Sequence, residues 1–176
     1  MIDAFLASLV VRFEVLEGDL NALDAATGDG DHGSTMLKGL KAAAGDPAAP
    51  EKAFRRAAGG ASGSLFAVVI AAFNQAGEGM PLSQTLSAAV DKITMLGQAK
   101  AGDKTMLDAL IPASQAETLV AAVEAAKDGL RATKGMAAKR GRAKHVEAAG
   151  VGHLDAGATS VVAMLEVYAQ HKRDVQ

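Results

Sequence analysis

A short segment near the N-terminus carries residue types that could bind a divalent cation. Ten residues contain three aspartates and three glycines: Asp24, Gly28, Asp29, Gly30, Asp31 and Gly33. Carboxylates this close repel one another unless a cation holds them, and hard oxygen ligands favour Mg²⁺ or Ca²⁺. We interpret the segment as a cation site. The alternative is a helix cap followed by two solvated turn aspartates.

The same segment leads into an apolar periodicity that predicts a helix from near Gly33. Met36, Leu37 and Leu40 recur at helical spacing. A helix N-terminus offers unbonded amides and the positive end of the helix dipole, which together suit a phosphate group. His32 could bond a phosphate oxygen there, or it could be structural. The segment is neither an EF-hand, which needs a Glu at its twelfth position, nor a Walker A loop, which needs Gly-Lys-Ser/Thr.

Two later segments follow the same pattern of glycine, small hydroxyl or acid, and then a helix. Residues 59–64 include Ser62 and Gly63, and residues 152–160 include Asp155. Each could be an ordinary capped helix start. Because alternate helices of an up-and-down bundle start at the same end, three such segments suggest helix N-termini that converge on one polyanion. The basic stretch 139–144 is typical of a solvated face.

Apolar spacing predicts a mostly helical chain. Helices are predicted over residues 2–16, 33–44, 51–58, 65–73, 81–97, 105–111, 114–127 and 129–140, with a last helix through Tyr168. Gly18 is predicted to end the first of these helices and Pro112 to end the helix over 105–111. A capping box at 114–117 is predicted to start the helix over 114–127. A strand remains the alternative around residues 68–70. Three methionines are predicted to be core residues: Met36, Met95 and Met106.

Composition limits the class of protein. The chain has 176 residues, enough for one domain with a full core, and only 3% of them are aromatic, which favours close-packed helices over a β-sandwich. A net charge of −2 gives no electrostatic basis for binding nucleic acid. No apolar run is long enough to cross a membrane. The absence of cysteine and of a signal-peptide pattern after Met1 predicts a cytoplasmic protein.

An ordered set of motifs resembles the nucleotide-binding L subunit of dihydroxyacetone kinases, or its equivalent domain. The set covers nearly the whole chain and, in family order, comprises residues 23–33, 59–63, 102–108, 112–113, 141–143 and 152–160. The resemblance implies an all-α barrel of about eight antiparallel helices with the nucleotide at one end. It also implies that Asp24, Asp29 and Asp31 hold two Mg²⁺ ions that bridge the nucleotide phosphates.

The resemblance also assigns nucleotide contacts. Those near the phosphates are His32, Gly33, Ser34, Thr35, Ser62 and Gly63. Those elsewhere, including the base and ribose, are Gly97, Met106, Arg142, Asp155, Ala156 and Gly157. This chain departs from the family pattern in three places. The family usually has Pro at position 156, Ser-Tyr-Leu at 144–146 and an acidic-basic pair at 148–149, where this chain has Ala, Lys-His-Val and Ala-Ala.

The resemblance implies a division of labour between subunits. A partner K subunit holds dihydroxyacetone covalently on a histidine, so no base or nucleophile is expected in this chain. A phosphocarrier M subunit of the phosphoenolpyruvate-dependent phosphotransferase system would rephosphorylate a tightly held ADP, and the chain length favours this version over exchangeable ATP. A homodimer is possible.

Three other functions remain open. One is an ATP-dependent kinase subunit for another short ketose or a tetrose. Another is the nucleotide domain of a fatty-acid kinase, which usually has Gly-Asp-Thr-Gly in place of residues 28–33. The last is a regulatory module that binds nucleotide and does no chemistry.

Overall fold

The chain is all-helical over the residues that the computed structural model describes, which are 2–145 and 147–175, without the side chains of Arg142, Ala143, Glu147 and Val175. No strand occurs within those ranges. The helices are α1 (Ile2–Ala25), α2 (His32–Gly45), α3 (Pro50–Ala58), α4 (Gly60–Gly77), α5 (Leu82–Gly97), α6 (Leu107–Ser114), α7 (Leu119–Thr133) and α8 (Ala156–Val175). Two short 3-10 turns, Arg142–His145 and Glu147–Gly150, precede α8.

The eight described helices close into a barrel. Each helix from α1 to α7 packs on the next one along the chain, and α8 returns to pack on both α7 and α1. This arrangement confirms the predicted all-α helical barrel. No helix among the described residues has the combination of length and apolar character that a bilayer crossing requires.

The core follows from apolar side chains that recur every three or four residues. In α1 these positions bury Phe5, Leu9 and Phe13, with Phe5 against the rings of Phe73 and Tyr168 from α4 and α8. Burying one such side chain contributes about 1.5–3 kcal/mol. Helix amphipathicity therefore stabilises the barrel and fixes which face of each helix is buried.

Two predicted helix ends are wrong. Gly18 does not end the first helix, because α1 continues to Ala25. Pro112 lies inside α6 and does not stop it. Proline lacks the amide that would bond the carbonyl of Asp108 four residues earlier, and Gly129 of α7 packs directly against that carbonyl. The carbonyl that cannot bond to residue 112 is therefore covered by α7.

The predicted capping box and the helix over 129–140 are also wrong. Ser114 belongs to α6, where its hydroxyl donates to the carbonyl of Ile111 at 2.7 Å. Thr118 caps α7, since its Oγ1 accepts the amide of Ala121 at 3.2 Å. Helix α7 runs without a break to Thr133, and residues 135–140 are not helical.

One of the three methionines predicted to be core residues is at the surface. Met36 and Met106 are buried, whereas the side chain of Met95 is 71% exposed. It lies near the end of α5, where the helix turns its outer face to solvent.

Candidate functional site

One cavity of about 450 Å³ lies where three helices begin. Its wall includes the residues around the starts of α2, α4 and α8, together with the end of α5 and the loop before α6. The three glycine-bearing segments thus surround a single space. The lining residues from the sequence assignment are Asp24, Asp29, Asp31, His32, Thr35, Ser62, Gly97, Met106, Asp155, Ala156 and Gly157.

The three aspartates form a compact cluster of carboxylates. One oxygen from each of Asp24, Asp29 and Asp31 lies within 4.8 Å of the others. Oxygen ligands sit about 2.0–2.1 Å from Mg²⁺, so two ligands on opposite sides of one ion are about 4.2 Å apart. The observed spacing fits oxygens that share one ion or bridge two, with little movement. The residues present therefore fit a divalent cation.

Asp24 is held in this cluster by the start of α2. Its Oδ2 accepts the backbone amides of Asp31 at 3.0 Å and His32 at 3.2 Å. These amides have no partner within the helix, so the carboxylate acts as a cap from outside the helix. Gly28 belongs to the same turn, because a Cβ there would come within 2.8 Å of Asp24 Oδ1.

His32 links two of the helices that begin at the cavity. Its Nε2 lies 2.8 Å from the hydroxyl oxygen of Ser160 in α8, and its ring packs on Phe66 of α4. Burial lowers the pKa of His32, and the charge of Asp24 opposes that shift. The lowered pKa favours the neutral ring, and its Nε2 is engaged with Ser160 beside the cavity that His32 lines.

Three of the residues assigned near the phosphates face neighbouring helices. A Cβ at Gly33 would overlap the carbonyl oxygen of Glu17 in α1. Ser34 donates its hydroxyl to Glu17 Oε1 at 2.8 Å. A Cβ at Gly63 would lie 3.2 Å from the carbonyl oxygen of Arg55 in α3. The side chain of Arg142 lies outside the described part of the structure, so its assignment stays a prediction.

Asp155 caps the start of α8 at the cavity wall. Its Oδ2 accepts the amide of Ala158 at 2.7 Å, and its own amide donates to Thr133 Oγ1 at 3.0 Å. Burial raises the pKa of Asp155 to about 6, although the Ala158 amide and the charge of Lys104 act in the opposite direction. The charges of Asp108 and Asp24 add to the increase.

The raised pKa of Asp155 predicts a pH-dependent loss of stability. The unfolded chain releases this proton near pH 4 and the folded chain near pH 6, so a rise in pH between these values favours unfolding. Asp155→Asn keeps a cap acceptor but cannot ionise. We expect its free energy of unfolding, relative to the wild type, to increase by on the order of 2 kcal/mol from pH 4 to pH 7. Urea denaturation at four pH values measures this, and a constant difference would contradict it.

Lys104 also lines the cavity, although the sequence did not predict it as a site residue. Its side chain is 3% exposed, and its ammonium group donates to the carbonyls of Thr133 and His153. Burial lowers its pKa, and the charges of Asp155 and Asp108 oppose that shift. The only signal in the sequence was its place in the motif 102–108, because a buried lysine has no periodic pattern.

Asp108 shapes the loop that carries Lys104. Its Oδ1 accepts the amide of Gly102 at 2.6 Å, and its Oδ2 accepts the amide of Thr105 at 2.8 Å. Gly102 and Lys104 both have positive φ, at 83° and 60°. The carboxylate stabilises this strained turn and keeps Lys104 and Met106 at the cavity.

Comparisons with known proteins place the chain in a family. The model of the DAK2 domain matches residues 26–170. A D-erythrulose kinase of Mycolicibacterium smegmatis is 37% identical in an alignment that covers 82% of this chain and 30% of that protein. The chain spans about a third of the length of this and other kinases that it matches.

A second relative matches over most of its length. The ADP-binding subunit DhaL of a PEP-dependent dihydroxyacetone kinase of Listeria innocua is 33% identical, over 86% of this chain and 85% of that protein. The crystal structure of the dihydroxyacetone kinase from C. freundii in complex with AMP-PNP and Mg²⁺ superposes with a TM-score of 0.73 at 26% identity, over 97% of this chain and 33% of that one. The chain belongs to the DAK2 domain family, together with the DhaL subunit of Listeria innocua.

Proposed function

We propose that this chain is the nucleotide-binding subunit of a kinase that phosphorylates dihydroxyacetone. The observation that carries the proposal is the cluster of three carboxylates within 4.8 Å of one another, in a cavity where three helices begin. Divalent cations and helix N-termini stabilise the negative charge of phosphates, which is most of what phosphoryl transfer requires of a protein. The match to the DhaL subunit of Listeria innocua supports the same function.

Each part of the cavity has a role in this proposal. Asp24, Asp29 and Asp31 hold two Mg²⁺ ions, which neutralise phosphate charge when bound. The hydroxyls of Thr35 and Ser62 bind phosphate oxygens, and the positive ends of the helix dipoles at the starts of α2, α4 and α8 attract the phosphate charge. Gly97 gives the ligand close access to the backbone, and the buried side chain of Met106 supplies an apolar wall.

We assign no base or nucleophile for the sugar to this chain. In the proposal a partner K subunit or domain binds dihydroxyacetone on a histidine and presents it at the cavity. ADP stays tightly bound here and is rephosphorylated by a phosphocarrier M subunit of the phosphotransferase system. The name of the Listeria innocua relative, a subunit of a PEP-dependent kinase, supports this donor over free ATP. Such a cycle takes place in the cytoplasm.

Mass spectrometry of the natively purified protein tests the bound state. We expect one ADP and two magnesium ions per chain, because three carboxylates and three helix N-termini bind both tightly. Dialysis against EDTA should release the nucleotide with the metal. A protein that stays empty after incubation with ADP and Mg²⁺ would contradict the proposal.

The phosphate donor is tested separately. We expect product when the chain is mixed with a K subunit, dihydroxyacetone and a phosphorylated M subunit, and little with ATP alone. Turnover with ATP alone would be consistent with the proposed nucleotide site but would reject the M subunit as the phosphate donor. Nucleotide binding without turnover under either donor would favour a regulatory module.

A four-carbon ketose is a second candidate acceptor. The match to the D-erythrulose kinase favours it. Because the acceptor is bound by the partner, the assay needs the K subunit that pairs with this chain in its own organism, and parallel assays with dihydroxyacetone and erythrulose on that pair decide between the two.

A further inference from the structure

The segment between α7 and α8, described over residues 134–145 and 147–155, contributes to the wall of the cavity. It is attached to the loop before α6, since the amide of Lys139 donates to the carbonyl of Asp103 at 3.1 Å. It is also closed on itself, because the amide of Gly152 donates to the carbonyl of Lys134 at 2.7 Å. Within it, Arg140 and Gly141 line the cavity. The attachment therefore fixes a cationic side chain at the site.

Asp103 lies directly beneath this segment as a buried carboxylate. Its side chain is 2% exposed, and its Oδ2 accepts the amide of Lys100 at 3.1 Å. Its Oδ1 has no hydrogen-bond partner in the described structure. A buried charge is costly unless cations compensate it. Two cations face it: Arg140 Nε at 3.6 Å from Oδ2, and Lys139 Nζ at 3.8 Å from Oδ1.

Arg140 approaches this carboxylate through Nε. An arginine that formed a full bidentate pair would hold its partner with two parallel hydrogen bonds at under 3 Å. The distance of 3.6 Å is longer than a hydrogen bond, so Asp103 orients the guanidinium by charge without using its donors fully. The two terminal nitrogens carry the donors that suit a second anion.

We propose that Arg140, oriented by the buried carboxylate of Asp103, binds the phosphate groups of the nucleotide. This inference rests on the proposed function and adds a binding residue to it. A guanidinium matches the geometry of phosphate oxygens and remains charged at all relevant pH values. Asp103 is a positioning residue, because it acts only through Arg140.

Lys139 provides a matched control. It is the next residue, carries the same charge and lies at a similar distance from Asp103, but the lining of the cavity in the described structure does not include it. Loss of Arg140 should weaken ADP binding, and loss of Lys139 should not, if contact with the ligand is the reason. A general effect of charge would move both equally.

Titration calorimetry of ADP with Mg²⁺ tests the proposal on the full chain after dialysis against EDTA has removed bound nucleotide and metal. Arg140→Met is expected to weaken ADP binding about tenfold, the usual effect of one hydrogen-bonded charge, and Lys139→Met to leave it unchanged. Adenosine binding should be equal in all three proteins. ADP affinity should fall less steeply with salt in Arg140→Met, and Arg140→Lys should recover part of the affinity.

Asp103→Asn tests the positioning role. We expect it to weaken ADP binding about threefold when Arg140 is present and to have no effect when Arg140 is methionine, since coupled residues are not additive. Urea denaturation of each variant separates this from a loss of folding. Equal ADP affinity of Arg140→Met and wild type overturns the inference, as does an equal loss in Lys139→Met. A wild type that binds no ADP overturns the proposed function instead.

Discussion

Asp31→Ala and Asp29→Ala are each expected to abolish Mg²⁺-dependent ADP binding while the helical fold stays intact. Both side chains are exposed at the edge of the cavity, and each supplies one oxygen of the carboxylate cluster. Without one of three ligands, the remaining carboxylates bind the cation weakly and the phosphates lose their main counter-charge. Titration calorimetry with ADP and Mg²⁺ should show a loss of more than about a hundredfold, or close to 3 kcal/mol.

Asp19→Ala is the control for this experiment. Asp19 is an exposed aspartate on the same helix as Asp24 but lies outside the cavity lining in the described structure. Its replacement changes the net charge by the same amount and should leave ADP affinity unaltered. Unchanged ADP affinity in both cluster variants would reject the metal assignment. An equal decrease of ADP affinity in Asp19→Ala would mean that the cluster variants act only through the net charge.

Asp24 differs from the other two aspartates because it also stabilises the start of α2. Its Oδ2 accepts two amides at the start of α2, so its loss leaves two donors without a partner. Losing a cap costs about 0.5–2 kcal/mol of stability. One carboxylate thus joins α1 to α2 and contributes an oxygen to the cluster, which makes the metal site part of the helix junction.

The sequence predicted helices well where apolar spacing was continuous and poorly where it relied on single residues. Gly18 and Pro112 are strong local signals for helix ends, yet both lie inside helices. At Pro112 the carbonyl that loses its helical bond is covered by Gly129 of α7, which is more than ten residues away in sequence. Local signals cannot anticipate such a contact.

The site was predictable in outline because its residue types are unusual together. The structure gathers the carboxylates and all three glycine-bearing segments around one cavity, as their common pattern indicated. The sequence could not give the direction of each side chain. Successive residues of a helix point about 100° apart, so His32 and Thr35 line the cavity while Gly33 and Ser34 face α1.

Arg140 and Lys104 show a second limit of sequence reasoning. A basic stretch is usually a solvated face, and nothing in its composition shows that Arg140 lines the cavity. Lys104 is buried because two backbone carbonyls and nearby carboxylates surround it. Both roles come from loops that only the tertiary structure brings together.

Gly33→Ala is expected to destabilise the protein by about 3 kcal/mol, at the upper end of the usual cost of overpacking. A Cβ at this position would overlap the carbonyl oxygen of Glu17 and lie 2.9 Å from Asn21 Oδ1. Because the first obstacle is backbone, α1 and α2 must move apart. Urea denaturation measures the loss, and ADP binding should weaken with it, since the carboxylate cluster spans the same junction.

Gly18→Ala is the matched control, and its expected effect has the opposite sign. Gly18 also lies in a helix, but a Cβ there would meet nothing within 4 Å. Alanine has the higher helix propensity, so stability should rise by about 0.5–1 kcal/mol, with ADP affinity unchanged. If both variants gained stability, close approach of α1 and α2 would not be the reason for glycine at position 33. A loss of stability in Gly33→Ala together with a gain in Gly18→Ala would show that position 33 requires glycine for the close contact between α1 and α2. That contact positions the carboxylate cluster, whether or not Gly33 also contacts a phosphate.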